Sequence, residues 1–115
     1  MHELGIVFYI IKDVKEAAAQ NNCSKVASVT LDVGEVTSIV PYYLEDMWNW
    51  AVKKEGPILE DCKLNIETIK AVTYCENCKS EYPTVQYGKT CPHCGSGQTY
   101  LIKGSEVSIR NIEAC

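Results

Sequence analysis

The stretch YCENCKSEYPTVQYGKTCPHCGS, residues 74–96, decides how the rest of the chain is read. Cys75 and Cys78 make one CxxC pair, Cys91 and Cys94 a second, and twelve residues lie between them. Two thiolates three positions apart grip one ion through a tight turn. A second such turn brought alongside completes a tetrahedron, with metal–sulfur bonds of about 2.3 Å for zinc. Gly95, directly after Cys94, offers the permissive backbone that the turn needs. Cys75, Cys78, Cys91 and Cys94 therefore predict a tetrathiolate metal site. Four thiolates leave no open coordination position, so the site holds structure and hydrolyses nothing. Two unrelated redox or free cysteine pairs are the competing reading. It fits less well, because a thioredoxin-like motif places one CxxC at the start of a helix, not two in a loop-rich insert.

Zinc is the expected ion. Thiolates alone do not separate it from iron, and CPHCG is similar to the CPxCG turn of rubredoxins. A rubredoxin-like electron carrier and a zinc-ribbon binding module are therefore the alternative functions. Lys79, Lys89, Tyr82 and Tyr87 are too thin a set for a nucleic-acid ribbon and read better as solvated groups around a small metal core.

Working outward, KLNIETIKAVTY (63–74) predicts one strand running straight into Cys75. Leu64 and Ile66 share one face and Ile69 and Ala71 the other, so a bulge or twist is expected near Thr68. Downstream, QTYLIKGSEVSIRNIE (98–113) predicts two short strands around Gly104 and Ser105, with Val107 and Ile109 on one face. The last strand is expected to return to the first sheet, which makes the metal module an excursion rather than a tail.

Residues 4–19 predict an amphipathic helix. Its stripe is Ile6, Ile10, Val14 and Ala17, widened by Tyr9 and Ala18. KVASVTLDVGE (25–35) alternates as a strand, with Ala27, Val29, Leu31 and Val33 on one face. PYYLEDMWNWAVKKEG (41–56) predicts a second helix, opened by Pro41 and stopped at Gly56 and Pro57. Leu44, Met47, Trp48 and Ala51 form its stripe, and Trp50 lies beside it as edge packing or partner surface.

With 115 residues the chain is one compact unit, or a small domain carrying a smaller one. A net charge of −4 argues against a general nucleic-acid surface and suits protein partners or cations. Apolar runs such as IVFYII are too short to span a bilayer and follow no basic leader, so neither a membrane helix nor a signal peptide is expected. The reducing cytosol is then the default compartment, where paired CxxC motifs read as metal sites before disulfides. Cys23, Cys62 and Cys115 read as small buried or terminal groups. No nucleophile–base pair, phosphate-cradling glycine loop or paired-carboxylate cleft is legible, so no enzyme is expected.

The chain opens MHELGI. A residue as large as His2 leaves the initiator methionine in place, so the free amine belongs to Met1. That amine and the His2 backbone nitrogen form a five-membered chelate ring. The same nitrogen and the His2 imidazole form a six-membered one. Nitrogen donors in a plane suit Ni(II) and Cu(II) better than zinc. Glu3 adds a carboxylate or a backbone nitrogen. The donors must lose protons, so binding tightens as pH rises.

MHELGI at the start, GEV after the first strand, an aromatic second helix and a CxxC…CPxCG insert before a short final strand together resemble the HypA/HybF family, nickel metallochaperones for [NiFe] hydrogenase assembly. The resemblance spans the whole chain. It implies an α+β fold: two helices packed on a three-stranded sheet as a nickel-binding domain, with an inserted zinc-ribbon-like tetracysteine domain. On this chain the nickel-binding domain would be residues 1–73 and 104–115, and the zinc-binding domain 74–103. It implies nickel at Met1, His2 and Glu3 as transferred cargo, and structural zinc at Cys75, Cys78, Cys91 and Cys94. Some relatives take a further nickel ligand from an acidic residue before the second helix. Here that loop is TSIVPYY, without a carboxylate; Glu35 lies nearby in sequence, Glu45 and Asp46 lie one helical turn in, and His93 is the other candidate. The implied partners are the nickel-handling GTPase HypB, the hydrogenase large subunit and, for some relatives, urease maturation proteins. The implied setting is a cytoplasmic monomer or homodimer with no nucleic acid or membrane.

Overall fold

Helix α1 (Glu3–Gln20) buries Glu3, Val7, Ile10, Ile11, Val14 and Ala18, a stripe at helical spacing. The computed structural model describes residues 3–115; Met1 and His2 lie outside the described residues. The buried stripe sits one residue round from the expected one. Ile6 and Ala17 are half-buried, and Tyr9 is exposed. The run from Ile6 to Ile11 is apolar on every face, so its periodicity does not choose between neighbouring lines. Packing against the second helix does.

After α1 the backbone turns at Asn22, whose φ of 56° is left-handed. Strand β1 (Val26–Gly34) buries Val29, Leu31 and Val33 on one face and Val26 and Ser28 on the other. Ala27, expected on the buried face, is exposed. The clean alternation fails because the second face of β1 is buried too, at Val26 and Ser28.

Helix α2 (Pro41–Val52) begins at Pro41, which needs no N–H in the first turn. It buries Leu44, Trp48, Ala51 and Val52. Trp48 is fully buried, and its indole N–H donates to the Cys62 carbonyl at 3.2 Å. Trp50 faces outward with the Lys54 ammonium 4.8 Å from its ring centre. The helix stops as expected before Gly56, at φ 85°, and a single 3₁₀ turn, Pro57–Leu59, follows.

The expected single strand over residues 63–74 is in fact two. Strand β2 (Lys63–Ile69) joins a sheet of order β2-β1-β6, where β6 is Val107–Ala114. Strand β3 (Val72–Cys75) joins another, of order β4-β3-β5, with β4 at Glu81–Pro83 and β5 at Thr99–Lys103. The break falls at Ala71. Its N–H donates to the Glu35 carboxylate at 2.9 Å, and its carbonyl accepts from Thr84 at 3.1 Å. The shift of apolar face near Thr68 falls where the chain leaves one sheet for the other, and the β3–β5 register shifts between Val72 and Thr73.

Strand β6 does return beside β1. Lys25 pairs with Cys115 at one end and Gly34 donates to Glu106 at the other, so the two run antiparallel. The carboxyl ends of β1 and β2 meet where the Glu35 N–H donates to Ile69, so that pair runs parallel across α2. Gly34 passes so close to Gly104 that a β-carbon on it would overlap the Gly104 backbone. Gly104, at φ 105°, lies equally close to Ala71.

The chain divides into two compact units. One takes the residues up to Leu31 with Ile39–Glu67 and Ser108–Cys115; the other takes Asp32–Ser38 and Thr68–Val107. In the second unit β3 pairs antiparallel with β4 (Thr73 opposite Tyr82) and with β5 (Cys75 opposite Thr99). A single helical turn, α3 (Thr84–Tyr87), follows β4.

Candidate metal centre

The core of the second unit is Cys75, Tyr82 and Cys91, with Cys78 packed against them. Sulfur thus occupies most of the space that aliphatic side chains fill elsewhere. The Tyr82 hydroxyl donates to the Gly88 carbonyl at 3.0 Å, which holds the loop between the cysteine pairs over the ring. Thr99 donates to Lys89 at 2.7 Å and ties down the other end of that loop.

The two CxxC turns are built alike. The Cys75 N–H donates to Ser80 at 2.8 Å, and the Cys91 N–H to Ser96 at 3.0 Å. The residue after the second cysteine is left-handed in both, Lys79 at φ 59° and Gly95 at φ 73°. Each turn therefore points both of its sulfurs inward. Cys75 Sγ lies 3.6 Å from Cys94 Sγ, Cys78 Sγ 3.6 Å from Cys91 Sγ, and all four within 4.8 Å of one another. A tetrahedron with 2.3 Å zinc–sulfur bonds spaces its sulfurs by about 3.8 Å. The donor set fits a closed tetrathiolate ion, with two sulfurs buried, one half-buried and one exposed.

The thiols differ in proton affinity. At Cys94 the Asn77 amide, 3.5 Å from the sulfur, and then the Ser96 backbone N–H bring the pKa down to about 6. The Ser80 hydroxyl lowers Cys78 in the same way. At Cys75 a bond from the Cys78 backbone acts downward, but burial and the Cys94 thiol outweigh it and push the pKa up to about 11.

His93 is exposed within the second turn. Its backbone N–H donates to Cys91 Sγ at 3.4 Å, and among the described residues the ligand cluster contains the four cysteines without it. Glu3 is buried at the start of α1, with its carboxylate accepting the Val40 N–H at 3.2 Å. Met1 and His2 lie outside the described residues. Of the remaining cysteines, Cys62 is buried, which pushes its thiol up, while Cys23 is half-buried and Cys115 exposed.

Asn77 was not legible as a functional residue. Its one signal is position, since it occupies in the first turn the place His93 takes in the second. The left-handed Lys79 was hidden too, because only Gly95 announces itself by residue type.

These features define a small α+β protein with a closed four-cysteine metal site and no helix, among the described residues, long and apolar enough to cross a membrane. The family model described as "Hydrogenase/urease nickel incorporation, metallochaperone, hypA" matches residues 1–114, and the chain belongs to that family, one of metallochaperones and not enzymes. It is 32% identical over 109 residues to Hydrogenase maturation factor HypA of Moorella thermoacetica, covering 95% of each chain. It is 30% identical over 113 residues to the HypA of Aquifex aeolicus, covering 98% of this chain and 96% of that one. The solution structure of the Ni metallochaperone HypA from Helicobacter pylori shares the fold, with a TM-score of 0.74 at 23% identity over 99% of this chain and 97% of that one.

Proposed function

We propose that this chain takes Ni(II) at its amino terminus and passes it on by protein contact during [NiFe] hydrogenase maturation, while Cys75, Cys78, Cys91 and Cys94 hold zinc. The match to a nickel-incorporation family across residues 1–114, the amino terminus included, carries this reading. The Met1 amine, the His2 backbone nitrogen and the His2 imidazole supply a planar nitrogen set that favours nickel. The Glu3 carboxylate is already engaged at the amino end of α2, where a helix welcomes negative charge. It therefore supports the site by anchoring the first turn, and its backbone nitrogen remains as a donor.

Bound zinc cross-links the two cysteine turns. The chain's own residues set its stability through the Asn77 and Ser80 hydrogen bonds. In the first unit α1 packs on α2. We place both on the β2-β1-β6 sheet through Val29, Leu31 and Val33. The receiving partners are the GTPase HypB and the hydrogenase large subunit, with urease maturation proteins as further clients. The setting is the cytoplasm, and the working form a monomer or homodimer.

Nickel titration of the zinc-loaded, untagged chain tests this, read by calorimetry and by the absorption of square-planar Ni(II). Wild type is expected to bind nickel stoichiometrically. His2→Ala and a chain with one residue added before Met1 are expected to lose that binding, and His93→Ala reads whether the imidazole adds a donor. Equal binding by wild type and both terminal variants overturns the terminal site. A red, redox-active iron protein would replace the zinc assignment with the rubredoxin-like one.

A further inference from the structure

Cys23 and Cys115 stand outside the metal centre, and both belong to the first unit. Cys23 is half-buried and Cys115 exposed, and both are free thiols. The sequence places them at opposite ends of the chain; the antiparallel pairing of β1 and β6 brings them to one end of a sheet. There the Cys115 N–H donates to Lys25 at 2.9 Å, and the Cys115 carbonyl accepts from Ser24 at 2.8 Å and Lys25 at 3.2 Å. The chain curls around that carbonyl. Through standard bond lengths and angles, the Ser24 hydrogen bond of 2.8 Å limits the Cys23–Cys115 Cα separation to roughly 7.6 Å, reached only if the two peptide groups lay end to end across it. Disulfides span Cα separations of about 4.4–6.8 Å. Lys25 and Cys115 exchange both backbone bonds, so their side chains share a face. Among the described residues the Cys23 thiol makes one hydrogen bond, a long one to the Asn21 carbonyl at 3.7 Å.

We propose that Cys23 and Cys115 form a reversible disulfide, a redox modification site separate from the metal centre. The oxidant is a peroxide. One thiolate attacks a peroxide oxygen; the O–O bond breaks, sulfenic acid forms and one water leaves. The second thiolate attacks the sulfenic sulfur; the S–S bond forms, the S–O bond breaks and a second water leaves. The thiols together lose two protons and two electrons, and the peroxide gains them. A small-molecule dithiol reverses the reaction by exchange. The bond staples the turn after α1 to the end of β6. It closes a loop of about ninety residues, which restricts the unfolded state strongly.

The test exposes the zinc-loaded full chain to equimolar hydrogen peroxide, followed by peptide mapping without reduction. The expected result is a Cys23–Cys115 cross-linked peptide from the monomer while the four zinc ligands remain unmodified. The unfolding midpoint should rise by several degrees. Dithiothreitol should restore both mass and midpoint, and Cys23→Ser and Cys115→Ser should each abolish the rise. Cys62→Ser serves as the control that keeps it. Separate sulfinic acids at Cys23 and Cys115, a link formed only between two chains, oxidation of the zinc ligands first, or an unchanged midpoint in the linked chain would each overturn the proposal.

Discussion

Lys79 and Gly95 do the same backbone work with different residues. Each follows the second cysteine of its turn, and each is left-handed. A side chain pays about 1–2 kcal/mol for that conformation, against about 0.5–1 kcal/mol of extra entropy lost on folding by glycine. Lys79→Gly is therefore expected to stabilise the zinc-loaded unit by about 0.5 kcal/mol. A β-carbon at Gly95 meets no atom within 4 Å, so Gly95→Ala carries only the conformational cost. Its zinc affinity should fall by about tenfold in competition with a chelator. The thiols predict a second residue-scale result. The Asn77 amide, 3.5 Å from the Cys94 sulfur, favours its thiolate form, which is the form a metal binds. Asn77→Ala should therefore lower zinc affinity severalfold in competition with a chelator, and an unchanged affinity would refute the Asn77 effect.

At the scale of elements, the helices were legible because their apolar positions recur at helical spacing and Pro41 and Gly56 mark the limits of α2. The division of residues 63–74 into β2 and β3 was not. Its cause is a long-range pairing, in which Glu35 takes the Ala71 N–H that a continuous strand would have given to a ladder. Alternation along one segment records which face is apolar, and not which sheet supplies the neighbours. Trp48 tests how α2 is held. Its indole N–H satisfies the buried Cys62 carbonyl. Trp48→Phe leaves that acceptor unpaired and removes ring volume, so a loss of about 2 kcal/mol is expected from the urea midpoint with unchanged slope.

For the whole molecule, the two units depend on different forces. The first buries aliphatic residues from α1, β1 and α2, whereas the core of the second is three cysteines and one tyrosine. So small a core does not outweigh chain entropy without the metal. Chelation is therefore expected to unfold the second unit and leave the first intact. Two-dimensional amide spectra would show collapse of the shifts of residues in β3, β4 and β5 with those of α1 and α2 retained. Loss of both sets at once would show that the metal holds the entire chain.

The sequence by itself determined the local chemistry. It contained the four cysteines at turn spacing, the helical periods, and the Met-His-Glu opening that led to the HypA/HybF family. These are short-range properties, carried by residues a few positions apart, and they survive in a linear reading. Tertiary structure alone decided which of two adjacent apolar lines α1 buries and where residues 63–74 change sheet. It also decided that Asn77 reaches the Cys94 sulfur and that Ser24 and Lys25 pair with Cys115. Each of these depends on a partner distant in the chain, and the energy of a contact is set by distance in space, which sequence separation does not encode.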